Sequence, residues 1–366
     1  MHCYESITSG LKNIKKGIRK GYPKLRKGSG LIMKKTLVAL AVAGISTSAL
    51  AAGNIYDNGT TSFNLKGEID TYVSTIERKE NGKTSTKRDV DVDLWAKIQI
   101  DAEHKLNEDI KVFGSFELEN GEFFDNDNKL TGEIDGDHAR VRTDDLYFGA
   151  YFGDNWGVAF GEVGDFGDSL DAITIDNTNE GLGYVDDFVK SKESAGHAVS
   201  VKGSFDKLTV IADAYLDQDE KIDTAFGLSA QYAINDMFTV GVSYQDQENR
   251  NLAGDDYQVM GAAVRFNMDN FSAAVNYVAE ELNKADQDTW SAVAAYKMNE
   301  ARVYTSFGFT EYEGDHDQSY YTFGADYAVT GNVLTFIEYT ASENDNKDTS
   351  MKTEGDIVVA GVYYTF

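Results

Sequence analysis

The chain has 366 residues but only one cysteine, Cys3, and one proline, Pro23. Residues 33–52, "MKKTLVALAVAGISTSALAA", explain why neither matters to the folded protein. Lys34 and Lys35, a short apolar run from Leu37 to Ile45, and Ala49-Leu50-Ala51 together form a signal peptide with cleavage after Ala51. The first 32 residues carry eight Lys or Arg against one Glu, have no apolar core, and read as a misannotated upstream extension before a start at Met33. The mature chain, residues 52–366, then has neither cysteine nor proline. That excludes a disulfide framework and a thiolate metal site.

Long hydrophobic runs are also missing. The apolar stretch at 37–45 is far short of the roughly 20 residues of a spanning helix, and no segment of the mature chain carries a helical apolar stripe. Positive charge is scarce. Residues 1–52 hold ten of the 34 Lys+Arg and one of the 61 Asp+Glu, which leaves 24 basic and 60 acidic residues and a net charge of −36. Such a chain excludes a basic nucleic-acid surface and favours cations. Histidine is sparse too: His104, His138, His197 and His316 are scattered, and no G-x-S-x-G or H-E-x-x-H occurs. The reading is therefore no enzyme, no cofactor and no metal. The run Asp125-Asn126-Asp127-Asn128 opens like a calcium loop, but no Glu stands at its twelfth position.

What is present is period two. In "DVDVDLWAKIQIDAEHKL" (89–106), Val90, Val92, Leu94, Ala96, Ile98 and Ile100 share one face, and Asp91, Asp93, Trp95, Lys97, Gln99 and Asp101 the other. Sixteen such segments are expected, near 62–77, 89–106, 110–119, 143–152, 156–163, 196–205, 208–217, 224–233, 238–247, 257–267, 271–280, 289–298, 301–310, 319–328, 333–341 and 356–366. Short turns such as Asn107-Glu108-Asp109, Asp206-Lys207 and Asp269-Asn270 alternate with long polar connections, "SENDNKDTSMKTEG" among them. A soluble sandwich cannot bury so many charges on one face. An all-β transmembrane barrel of about 16 antiparallel up-and-down strands can, with the apolar face to lipid and the charges around water. Aromatics near strand ends, including Tyr56, Phe148, Tyr151, Trp156, Phe238, Tyr363 and Phe366, read as interfacial girdles.

"NIYDNGTTSFNLKGEID" (54–70), "YFGAYFGDNWGVAFGEVGDFGDS" (147–169) and the terminal "GVYYTF" resemble the general diffusion porins of Gram-negative outer membranes. The resemblance implies a trimer in the outer membrane, among lipid and lipopolysaccharide. It also implies that the loop after the fifth strand folds into the barrel, with Asp165, Asp168, Asp171, Asp176, Glu180, Asp186 and Asp187 as an acidic rim. Lys97, Arg140 and Arg142 fall at or near the family's basic wall positions, and Glu68 replaces another. Phe366 and Tyr364 stand where the barrel-assembly machinery reads the family's last strand. The implied function is passive diffusion of small hydrophilic solutes and ions with a cation preference; the alternative is a channel selective for a sugar or an anion, with a dedicated binding site.

Overall fold

The computed structural model describes residues 53–121, 141–164, 166–182, 197–216, 220–248 and 256–366. The extension and signal peptide, Arg140, Asp165, Asp186, Asp187, His138 and the run at 125–128 lie outside these residues.

Among the described residues there are seventeen strands: β1 (Gly53–Asp57), β2 (Thr61–Glu80), β3 (Lys83–Lys105), β4 (Ile110–Gly121), β5 (Arg142–Phe152), β6 (Trp156–Gly161), β7 (Ala198–Phe205), β8 (Leu208–Tyr215), β9 (Ala225–Ala233), β10 (Phe238–Gln247), β11 (Tyr257–Met268), β12 (Phe271–Leu282), β13 (Ala285–Met298), β14 (Ala301–Tyr312), β15 (His316–Thr330), β16 (Val333–Asn346) and β17 (Met351–Thr365). From β2 onward each pairs antiparallel with the next, and β17 returns to pair with β2 from Thr353↔Glu80 to Thr365↔Glu68. The sheet closes as a sixteen-stranded barrel, so no barrel edge is left with unpaired backbone in lipid.

The sixteen expected segments coincide with β2–β17. β1 is additional. It folds back on β2 through a turn with Gly59 at φ 83°, and the Asp57 side chain accepts a 2.7 Å hydrogen bond from the Gly59 amide. Several strands also run further than alternation indicates. β2 and β3 continue to Glu80 and Lys83 around Asn81 and Gly82, both at positive φ, and β16 and β17 extend to Asn346 and from Met351. The polar stretches 77–89 and 342–355 are therefore largely strand rather than loop. Beyond the lipid both faces of a hairpin are wet, so backbone pairing continues where the apolar–polar alternation has stopped. The short turns on the other side are tight, with Asp206, Asp269 and Asn299 at positive φ.

Outward side chains such as Val90, Leu94, Ile98, Phe148, Trp156, Phe160, Trp290 and Phe323 are exposed for contact with lipid. Two aromatics assigned to the girdles point the other way. Tyr363 is buried inside and donates to Glu180 at 2.5 Å, and Tyr151 packs inside against Phe113, tilted, at 4.4 Å between ring centroids. The inner wall is thus not uniformly polar. Val259 and Val278 on one side, and Ile357, Val359 and Phe336 on another, form apolar seats for the loop after β6. This is why "IVVAGVYYTF" reads apolar on both faces: Val358, Val362 and Tyr364 meet lipid, while Ile357, Val359 and Tyr363 meet that loop.

Candidate pore constriction

Residues 162–164 and 166–182, which follow β6, turn inward and run along the barrel wall. Phe166 stacks on Phe113 at 5.5 Å. Leu170, Ile173 and Ile175 pack against Tyr257, Val259, Ala263, Val278 and Val293, and Leu182 against Tyr72, Phe336, Ile357 and Tyr363. A loop surrounded by water would gain nothing from these side chains; one laid on a wall buries them at about 1.5–3 kcal/mol each.

The wall reaches for the loop's backbone strand by strand. Lys202 and Ser200 on β7 donate to the carbonyls of Phe166 (3.0 Å) and Gly167 (2.8 Å). Arg265 on β11 donates to the carbonyls of Asp171 (3.1 Å), Ala172 (2.8 Å) and Thr174 (2.6 Å), and Asn276 on β12 to that of Ile173 (2.8 Å). Arg302 on β14, paired with Asp326 at 2.5 Å, donates to the carbonyl of Asn177 (3.0 Å). Glu338 on β16 accepts the amides of Asn179 (2.5 Å) and Glu180 (2.8 Å), and Thr322 on β15 accepts that of Leu182 (3.1 Å). The approach is close. A Cβ on Gly241 of β10 would lie 2.1 Å from the Ala172 carbonyl oxygen.

These contacts divide the loop's acids. Asp168 is fully buried and accepts from the Leu170 amide and the Tyr215 hydroxyl, each at 2.5 Å. Glu180 is turned into the wall on Tyr363. Neither faces open water, which departs from the expected rim. Asp171 and Asp176 remain half-buried. Asp176 accepts from Thr178. Desolvation first, and the neighbouring Asp168 second, push the Asp171 carboxyl up to about 7.

The charged wall is built from β2–β5. Glu68, Lys97, Glu119 and Arg142 lie side by side in register across these four strands, a row of alternating sign. Alternation alone would turn Arg142 outward, since Asp145 and Tyr147 face in. A bulge between the Phe116↔Leu146 and Leu118↔Thr143 pairs inserts one residue into β5 and brings Arg142 onto the inner face beside Glu119. Lys97 pairs diagonally with Glu117 at 3.0 Å. Glu119 bonds Arg142 through one oxygen and accepts the Trp95 indole N–H at 3.1 Å on the other. Two further pairs complete the set: Lys66–Asp101 at 2.5 Å and Lys111–Glu103 at 2.8 Å.

Glu117 and Glu119 are residues that a search of the sequence for basic wall positions passes over. Their signal was there, since "FELE" places both on the polar parity of β4. Arg265 and Arg302 were likewise visible as inward bases, but their carbonyl partners depend on where the loop lies.

Among the described residues the histidines stay apart. His104 bonds Thr61 at 2.7 Å, His316 bonds Asn344 at 3.0 Å, and His197 precedes β7. No cluster of three or more metal-ligating side chains occurs among the described residues.

Comparison with known proteins agrees with this architecture. No curated protein matches the chain. Solved structures match in fold. OmpT, an outer membrane protein of Vibrio cholerae, is 14% identical with a TM-score of 0.65, covering 85% of this chain and 100% of its own. Salmonella typhi OmpF, solved with daunomycin, is 17% identical at 0.61, covering 86% and 100%. An anion-selective porin from Comamonas acidovorans is 10% identical at 0.61, covering 84% and 100%. A family model described as Gram-negative porin matches residues 36–347. The chain therefore belongs to the Gram-negative porins, channel-forming barrels of the outer membrane.

Proposed function

We propose that the chain, freed of residues 1–51, forms a passive, cation-preferring diffusion channel for small hydrophilic solutes and ions and assembles as a homotrimer. The charge balance of the inner wall carries this reading. Over Lys66–Ser74 of β2, Asp91–Glu103 of β3, Lys111–Glu119 of β4 and Arg142–Tyr151 of β5, the described inward side chains include nine acids: Glu68, Asp70, Asp91, Asp93, Asp101, Glu103, Glu117, Glu119 and Asp145. Four bases, Lys66, Lys97, Lys111 and Arg142, share that wall, each in an ion pair. Across the lumen Lys202, Arg265 and Arg302 are engaged with loop carbonyls. The surplus is negative, and Asp176 adds to it from the loop; rings of like charge in a narrow passage set which ions enter. The Comamonas relative is anion-selective on the same fold. The fold thus leaves the sign open, and the wall residues decide it.

Trp95 weighs against a dedicated sugar slide. Its ring is only 1% exposed and its N–H is bound to Glu119. Family, closed barrel and scattered histidines favour a channel over an enzyme. A trimer form of Vibrio cholerae OmpT supports the trimer. Lipid, lipopolysaccharide and the barrel-assembly machinery are the remaining partners, with Phe366 and Tyr364 as the assembly signal.

The test is the zero-current potential of purified channels in a KCl gradient across a planar bilayer. A potassium preference is expected; a clear chloride preference refutes the reading. Insertion steps in threes are expected for the trimer.

A further inference from the structure

The two bases of the charged row, Lys97 and Arg142, do not face the lumen alone. The Glu117 carboxylate is wholly buried beneath Lys97, whose side chain is 16% exposed. The Glu119 side chain is 1% exposed beneath Arg142, whose side chain is 39% exposed. In both pairs the acid lies in the wall and the base lies in front of it. Neither carboxylate is placed to bind a passing ion directly. Each cancels the field of the base that a passing ion meets.

We infer that Glu117 and Glu119 of β4 are specificity-determining residues of this channel: by masking Lys97 and Arg142 they remove the anion-attracting charge that these bases would otherwise present to the lumen. This rests on the channel reading above and adds the residues that set its selectivity. Three features hold the mask in place. The register puts Lys97 and Arg142 on either side of Glu119. The β5 bulge turns Arg142 to the inner face. The Trp95 indole N–H fixes the second Glu119 oxygen, so the carboxylate cannot rotate away from the arginine without losing a buried hydrogen bond. The wall-directed hydrogen bonds of the inward loop run to β7, β8, β11, β12 and β14–β17, while on β4 the loop packs its Phe166 ring against Phe113.

Replacing either carboxylate with its amide keeps the shape and, at Glu119, keeps an acceptor for Trp95, but leaves a net positive charge at the wall. An added unit charge about 7 Å from an ion in water changes the local concentration of that ion by about threefold, in opposite senses for potassium and chloride.

The experiment is the reversal potential of the purified full-length channel in a KCl gradient, for wild type, Glu119→Gln, Glu117→Gln, Arg142→Gln, the Glu119→Gln/Arg142→Gln double variant, and Glu354→Gln as a control at the outer rim. We expect the K⁺/Cl⁻ permeability ratio to fall roughly threefold to ninefold in Glu119→Gln and Glu117→Gln, since the opposite changes for the two ions multiply and salt screens them, and to rise by a similar factor in Arg142→Gln. The double variant should return close to wild type, because the mask and the masked base leave together. The inference is overturned if the two glutamine variants move the ratio no more than Glu354→Gln does. It is also overturned if the double variant stays with Glu119→Gln, which would mark wall distortion rather than charge. Should the Glu variants fail to give a folded, heat-modifiable band, Arg142→Gln alone decides, and no rise in its ratio overturns the inference. The sign of the wild-type potential tests the cation preference separately from the shifts between variants.

Discussion

The seam between β17 and β2 offers the sharpest test of the packing argument. Phe366 and Gly67 exchange both backbone hydrogen bonds, at 2.8 and 2.9 Å, and the terminal ring lies over the outward face of Gly67. A Cβ built on Gly67 would stand 2.1, 2.4 and 2.7 Å from three atoms of that ring. In Gly67→Ala the ring must therefore leave its seat. Overfilling a packed site costs about 1–3 kcal/mol, and the lower half of that range applies here because Phe366 is only half-buried and can swing toward lipid. Working the other way, Ala is better than Gly within a strand by roughly 0.5–1 kcal/mol of backbone entropy. The two substitutions must then be coupled. Gly67→Ala should destabilise the barrel by about 1 kcal/mol when Phe366 is present, and should be neutral or slightly stabilising in a Phe366→Ala background. The assay is the urea midpoint of refolded barrels in lipid for the four members of the cycle. Additivity within about 0.5 kcal/mol would mean that the ring does not occupy that seat, and the account of the seam would be wrong.

Removing the Arg265 guanidinium leaves three loop carbonyls without their shared donor. Arg265→Ala should make single-channel current noisier, with frequent partial closures, while a variant at exposed Lys207 stays quiet. Gly241→Val drives a side chain into the Ala172 carbonyl. It should displace the inward loop and change open-channel conductance more than it changes the unfolding midpoint. Asp171, with its carboxyl raised to about 7, is largely protonated at pH 6 and largely ionised at pH 8. One negative charge therefore joins the loop as pH rises, and the K⁺/Cl⁻ permeability ratio should increase over that interval in wild type, with a smaller increase in Asp171→Asn.

Most of the barrel was legible because a half-lipid, half-water strand must alternate, and most of β2–β16 does. Legibility ended where the environment stopped being two-sided. The hairpin tips at 77–89 and 342–355 have water on both faces and lose the pattern while keeping the pairing. β17 has lipid on one face and a buried loop on the other, so Val359 and Tyr363 look no different from Val358 and Tyr364. At the constriction, Lys97 followed from parity and Glu68 from the family resemblance. The inward turn of Arg142 did not, because a single inserted residue in β5 reverses parity beyond it. The buried states of Asp168 and Glu180 were hidden for another reason. A loop's acids look alike until the wall donors that reach them, Tyr215 and Tyr363, are placed by strands far along the chain.

β1 and β17 run in the same direction along the same edge of β2, one after the other. Phe366 pairs with Gly67 and Gly53 with Leu65, so a single strand position, opposite Lys66, separates them. Two strand steps span about 7 Å, and one residue would bridge them. The wall is therefore indifferent to where its polypeptide is cut. A circular permutant that joins Phe366 to Gly53 through one residue and opens at the Asn283-Lys284 hairpin would keep every ladder of the barrel. Its free ends would move to the opposite rim, so the assembly signal of the last strand could be separated from the seam it now closes.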